Sequence, residues 1–309
     1  MSKANYQTAA DAFGDWRDDV LSGQPPTLYR VSTGELNHIE IGPKLVTLIG
    51  GAPGAGKTAF TMQCMVDALR LNESLRCVVC NVEMPPSVLL DRQLARLSGV
   101  ELNTIRYRKL DGKHADRIDQ AMHTLEAVAD RLCFVRPPFV LDNVAATADA
   151  FGAHVIVLDY IQRIRAPGEH GDRRGSVDAT MDYIRQFADA GVAMVVVAAV
   201  SRQKDSKGRS TYDGDTLSLA SFRESSELEF GADDAFILAP TGKSGKAVLK
   251  HLKARHTEAK DLTLRFVAKY QRFEVVADDE PTRDGPALAD LAELWGSVDA
   301  ASDEGESDD

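Results

Sequence analysis

The run Gly51-Ala52-Pro53-Gly54-Ala55-Gly56-Lys57-Thr58 constrains this chain more than any other stretch. It fits the pattern G-x-x-x-x-G-K-[ST], a loop that cradles phosphates. The glycines let backbone N–H groups turn toward phosphate oxygens, and a following helix adds the positive end of its dipole. The loop therefore has to sit between a strand and a helix. Both flanks are present: residues 45–49 are a short apolar run, and 58–71 carry apolar residues at helical spacing. In such a loop Lys57 reaches the β- and γ-phosphates and the Thr58 hydroxyl ligates Mg²⁺. Mg²⁺ and ATP are the expected cofactors.

The rest of the chain repeats this alternation. Strand-like runs at 77–82, 132–135, 154–158 and 192–198 are separated by helical patterns at 87–97, 114–129, 141–151 and 177–188. Continuous apolar strands between helices indicate a mainly parallel sheet covered on both faces. Four short strand patterns follow, at 234–238, 247–252, 262–267 and 273–276, joined by turn residues. They predict antiparallel additions at one edge. Residues 5–22 predict an amphipathic helix, with Ala9, Phe13, Trp16 and Val20 on one face. Either that face packs on its own domain or it docks on a neighbouring subunit.

Two acids belong with the phosphate loop. Asp159 ends the apolar run 154–158, where a carboxylate holds Mg²⁺. Glu83 follows the run 77–82, at the strand end where ligands of parallel sheets bind, and Pro85-Pro86 stiffens the exit. There it could polarise a water facing the γ-phosphate, or simply cap the next helix. Cys77 and Cys80 lie three apart on a strand, on opposite faces, so they read as core rather than as a metal pair.

The formal charge of −11 is misleading as a whole-chain value. Residues 277–309 hold 12 acids and one Arg, whereas residues 1–276 hold 35 acids and 35 bases. Acidity therefore does not exclude a nucleic-acid partner for the body; local patches decide. The tail is expected to be largely disordered. Four cysteines exclude a disulfide scaffold, and no apolar run is long enough to cross a bilayer. The expected location is cytoplasmic. The expected divisions are a linker helix and linker over 1–30, the ATPase domain over 31–276 and the tail over 277–309.

Taken in order, Gly50–Thr58, Asn81-Val82-Glu83-Met84-Pro85, Arg96-Leu97-Ser98-Gly99-Val100, Ile156-Val157-Leu158-Asp159-Tyr160-Ile161-Gln162 and Phe222-Arg223-Glu224-Ser225-Ser226-Glu227-Leu228-Glu229 resemble the motor domain of the DnaB family of hexameric replicative helicases. The resemblance spans about residues 31–276 and implies a RecA-like P-loop NTPase fold. It implies a homo-hexamer that hydrolyses Mg·ATP at subunit interfaces and translocates on single-stranded DNA. It makes Glu83 catalytic. It also matches Lys253-Ala254-Arg255 to a Lys-x-Arg pair that reaches the adjacent subunit's nucleotide; residues i and i+2 on a strand share a face.

By the same resemblance the basic loop with Arg202, Lys204, Lys207 and Arg209, ending in the turn Arg223, Glu224 and Ser226, holds the DNA backbone. Ser226 stands where the family usually has Gly. Residues 167–175, with Arg173 and Arg174, form a second, weaker loop candidate. Two departures matter. Ala199 replaces the family's γ-phosphate-sensing Gln, for which Ser201 or Gln203 could substitute. The family's N-terminal primase-binding domain has no match here. Both leave room for a second reading, a nucleotide-dependent adaptor that does not unwind DNA.

Overall fold

The computed structural model describes residues 6–168, 173–200, 203–204, 210–211, 218–222, 226–241 and 245–276. By internal contacts the chain divides into a unit Met1–Val275 and a second, Val276–Asp309. All but Val276 of the second unit, the acidic tail included, lies outside the described residues.

The first unit is built on a nine-stranded sheet. Its strands are β1 (Val46–Gly51), β2 (Cys77–Asn81), β3 (Leu132–Phe134), β4 (Val155–Asp159), β5 (Ala193–Ala199), β8 (Asp234–Pro240), β9 (Lys246–Ala254), β10 (Leu262–Val267) and β11 (Arg272–Val275). Their order is β11-β10-β9-β8-β1-β5-β4-β2-β3. From β8 to β3 every pairing is parallel; β9, β10 and β11 add antiparallel strands at one edge. Both features are as the sequence pattern predicts.

The helices are α1 (Ala9–Ser22), α2 (Lys57–Leu71), α3 (Pro86–Ser98), α4 (Leu102–Arg106), α5 (Ala115–Ala129), α6 (Leu141–Phe151), α7 (Arg173–Asp189) and α8 (Ser226–Gly231). The central strands are apolar throughout because each face of the sheet is covered. On β4, Val155 and Val157 join the core with Phe60, Met65 and Leu69 of α2. Ile156 and Leu158 join the opposite core with Val144 of α6 and Ile184 of α7. Burying each such side chain is worth roughly 1.5–3 kcal/mol.

Three local details differ from the sequence pattern. α7 begins at Arg173, so Arg173 and Arg174 lie in a helix rather than in the expected loop, while 169–172 fall outside the described residues. The short α4 has too few residues for a period to show. Within the long basic loop, β6 (Gln203–Lys204) and β7 (Ser210–Thr211) form a two-stranded antiparallel ladder.

α1 starts on a Thr8 cap, whose hydroxyl accepts from Asp11 N at 3.2 Å while Asp11 accepts from Thr8 N at 2.9 Å. It stops at Gly23, which takes the left-handed conformation (φ +66°) that glycine tolerates. No residue of α1 is buried, and Trp16 is 57 % exposed. Of the two readings of its apolar face, packing on the same domain is not what the structure shows.

Candidate functional site

Strand register assembles the site. Ile49 of β1 pairs with Val197 of β5, Asp159 of β4 with Val197, and Asn81 of β2 with Asp159. These residues form one row at the carboxyl ends of four parallel strands. The phosphate loop follows β1 and enters α2. Gly54 and Gly56 have φ of +79° and +92°, the left-handed region that a phosphate-facing turn requires. Gly51 leaves room for the Lys57 side chain, because a Cβ there would lie 3.1 Å from Lys57 Cγ.

A cleft of about 450 Å³ opens over this row, lined by Lys57 and Thr58 of the loop and by Glu83 and Asp159. Lys57 Nζ donates to Gly51 O at 2.8 Å and to Ala52 O at 3.0 Å. Burial lowers its ammonium below the usual lysine range, against the pull of Asp159 and Glu83. Burial raises the Asp159 carboxyl, against a hydrogen bond from Thr58 and the charge of Lys57. The Thr58 hydroxyl and Asp159 carboxylate are hard oxygen donors that already meet, a set that suits Mg²⁺.

Asn81 ties the acids together. Its Nδ2 donates to Asp159 Oδ2 at 2.7 Å, and its Oδ1 accepts from Glu83 N at 3.0 Å and Met84 N at 2.7 Å. The sequence motif contains Asn81, but nothing in its spacing marks this bridging role. Arg92 of α3 also lines the cleft and was not foreseen. Its buried Nε has no partner among the described residues. Only its place on the helix leaving Glu83 could have signalled it.

Ala199 lines the cleft where a polar sensor was expected. Its backbone is clamped by Gln162, which accepts from Ala199 N and donates to Ala199 O, both at 3.2 Å. Ser201 lies outside the described residues, and so does the side chain of Gln203.

Lys253 and Arg255 do converge: Lys253 Nζ and Arg255 Nη2 donate to Phe230 O at 3.2 and 3.4 Å. Arg255 Nη1 also pairs with buried Asp233 at 2.6 Å, and Asp233 accepts from Val46 N at 2.8 Å. This cluster sits at the start of β1, whereas the phosphate loop sits at its end. Five residues of strand separate them, roughly 16 Å at ~3.3 Å per residue. That is beyond the reach of an arginine, so the pair cannot serve its own chain's phosphates.

Arg202, Lys207, Arg209, Arg223 and Glu224 lie outside the described residues, as do the side chains of Lys204 and Ser226. Phe222, which precedes the Arg223 turn, is buried against Gly50 of β1. Cys77 and Cys80 are buried and free, as core residues. No helix among the described residues is long and apolar enough to cross a membrane.

The chain is 23 % identical over 266 residues to the replicative DNA helicase DnaB of Pasteurella multocida, covering 78 % of this chain and 54 % of that protein. It is 18 % identical over 232 residues to a probable plasmid replicative DNA helicase of Chlamydia trachomatis, covering 74 % of this chain and 50 % of that protein. It thus spans about half the length of these relatives. The fold is shared with a solved ATPase domain, with a TM-score of 0.74 at 15 % identity over 88 % of this chain and 100 % of that one. A DnaB-like replicative helicase solved with its interactions with primase gives a TM-score of 0.72 at 16 % identity, over 88 % of this chain and 68 % of that one. The architecture is therefore RecA-like. Residues 35–275 match the family of the DnaB-like helicase C terminal domain, and with that span matched the chain belongs to this family.

Proposed function

We propose that this chain is an ATP-driven motor that hydrolyses Mg·ATP between subunits of a homo-hexameric ring and moves along single-stranded DNA. The observation that carries the reading is the division of the site: phosphate loop and acids at one end of β1, the Lys253–Arg255 pair at the other. An interface that brings those two ends together completes the site.

In this reading Gly54, Gly56 and the N-terminus of α2 hold the phosphates, and Lys57 leaves its two carbonyl partners to reach them. Thr58 and Asp159 would hold Mg²⁺, which neutralises charge on the β- and γ-phosphates. Asn81 orients the Glu83 loop so that the Glu83 carboxylate can align the attacking water. Arg255 of the adjacent subunit stabilises charge developing on the γ-phosphate, a role worth ~10³–10⁵ in rate. The loop from Arg202 to Arg223 takes the DNA backbone, and Phe222 links that loop to β1.

The exposed apolar face of α1 supports the ring. On the motor body an apolar groove of about 430 Å³, lined by Leu90, Leu94, Met122 and Leu125 on α3 and α5, is also uncovered. α1 of one copy covers the groove of the next.

Strand displacement measured beside DNA-stimulated ATPase tests the proposal, with Glu83→Gln as control. Unwinding and turnover should be present in the wild type and both lost in the variant, which still binds nucleotide. ATPase without displacement would favour the adaptor reading, which Ala199 at the sensor position supports.

A further inference from the structure

C-terminal to α1, Phe230 is the most exposed large apolar side chain among the described residues, at 67 %. An exposed aromatic means little by itself. The rigidity and the place of this one give it meaning.

Phe230 is the penultimate residue of α8, and that helix cannot turn to bury it. Leu228 is locked in the core with Met181 and Ile184 of α7. Gly231 is pressed onto the same helix, for a Cβ there would lie 2.6 Å from Met181 Cε. The Phe230 ring is therefore held out into solvent. Its backbone carbonyl meanwhile accepts from both Lys253 Nζ and Arg255 Nη2. Wherever that pair is presented, the ring is presented with it.

A matching surface lies at the lip of the nucleotide cleft. Glu83 and Met84 line the cleft, and the chain leaves it through Pro85, Pro86, Ser87 and Val88, all exposed. Val88 is the third residue of α3. The first turn of a helix favours acids, and a β-branched residue is a poor helix former. Nothing local calls for an apolar side chain at that exposed place. With the two prolines it makes a short, stiff apolar rim beside Glu83.

One chain cannot join these surfaces. Phe230 lies with the cluster at the start of β1, whereas the rim follows the carboxyl end of β2. Two copies can. When Arg255 reaches the γ-phosphate bound by an adjacent copy, the Phe230 ring arrives with it. The rim begins two residues beyond Glu83, roughly 7 Å along the chain. Both surfaces thus converge on one phosphate from opposite sides of the interface.

We propose that Phe230 is an apolar anchor that seats on the Pro85–Val88 rim of the adjacent copy and so sets Arg255 in register with that copy's Glu83. It is a positioning residue, not a catalytic one. The proposal rests on Arg255 acting in the adjacent subunit, and its test separates the two. A base of single-stranded DNA is the other occupant such a ring can take. That contact would leave the rim without a partner.

Cross-linking and turnover of the full chain form the experiment, with assembly followed by light scattering. The Phe230→Cys/Val88→Cys double variant, treated with a short bis-maleimide, should give a ladder of linked chains. Wild type and either single variant should give none; Cys64, Cys77 and Cys80 are buried, and the single variants control for half-buried Cys133. Phe230→Ser should lower kcat for ATP hydrolysis about ten-fold, the scale of one apolar side chain lost from a buried contact. ATP affinity should not change, because the carbonyl that holds Lys253 and Arg255 remains. Phe230→Leu keeps an apolar anchor and should stay within about two-fold of wild type. Substitution at so exposed a position spares the fold. If the double variant fails to assemble, the Ser and Leu variants decide the matter. An assembled double variant without a ladder, or Phe230→Ser with wild-type kcat, would overturn the proposal and leave the shared site standing. Weaker binding of single-stranded DNA at unchanged kcat would assign the ring to a base instead. A wild type that never assembles would remove the shared-site reading and this proposal with it.

Discussion

Asp159 shows how single residues divide between stability and function. The end of an apolar strand is a costly place for a carboxylate, and burial raises its pKa despite Thr58, Lys57 and Asn81. A raised folded-state value means the folded chain holds the proton more tightly than the unfolded one. Its favourable contribution is therefore complete below the ordinary carboxylate range and lost as pH rises through the raised value. At neutral pH the ionised group opposes folding. Asp159→Asn should thus unfold at a higher temperature than wild type at pH 7.5 without nucleotide, with the gain shrinking toward pH 4. It should also lose ATP turnover. Thermal melts at the two pH values check this; a less stable variant at pH 7.5 would mean that pairing with Lys57 outweighs burial. Among site residues, Lys57, Thr58, Glu83 and Asp159 were legible because motif and strand ends mark them. Asn81 and Arg92 were not: Asn81 acts through Asp159, 78 residues away, and Arg92 meets the cleft only because α3 packs beside it.

At the scale of elements, α1 is the clearest case of a pattern whose partner the pattern cannot name. Its face was readable from Ala9, Phe13, Trp16 and Val20, and the helix forms over Ala9–Ser22. Yet Phe13 and Trp16 touch mainly each other, with ring centroids 5.3 Å apart. A helix of this length is marginal alone in water, so it needs a surface to cover. Replacing both Phe13 and Trp16 by Ser should leave the melting temperature of the motor body within a degree or two, since exposed sites cost little. Light scattering should show the assembly falling to smaller species. Unchanged assembly would remove α1 from the interface; a large loss of stability would return it to its own domain.

For the whole molecule the decisive relation is the antiparallel pairing of β9 with β8. It carries Lys253 and Arg255 to the end of the sheet opposite the phosphate loop. If Lys253 and Arg255 complete an adjacent subunit's site, as proposed, two defective chains can complement each other. Arg255→Ala and Glu83→Gln should each be nearly inactive alone, and their mixture should regain part of the ATPase, because some mixed interfaces are intact on both sides. Asp233 holds Arg255 at 2.6 Å, so the Arg255→Ala chain must be checked for stability first. No recovery at any mixing ratio would count against shared sites.

The sequence by itself determined the layered α/β class, the phosphate loop with its strand and helix, the two acids at strand ends and the family. These are local properties: hydrophobic period, turn chemistry and motif spacing are written within a few residues. Only the tertiary structure decided which strands lie side by side, and with that everything resting on non-local pairing. Asn81 bridges to Asp159 because β2 and β4 are neighbours. Phe266 and Gln271 line the cleft because the antiparallel edge strands return to α2, where the Gln63 amide exchanges two hydrogen bonds of 2.9 Å with the Phe273 backbone. Arg255 is barred from its own phosphate loop because β9 runs against β8. A side chain's reach is a few ångströms, and which chain segments come within that reach is set by the packing of the sheet as a whole.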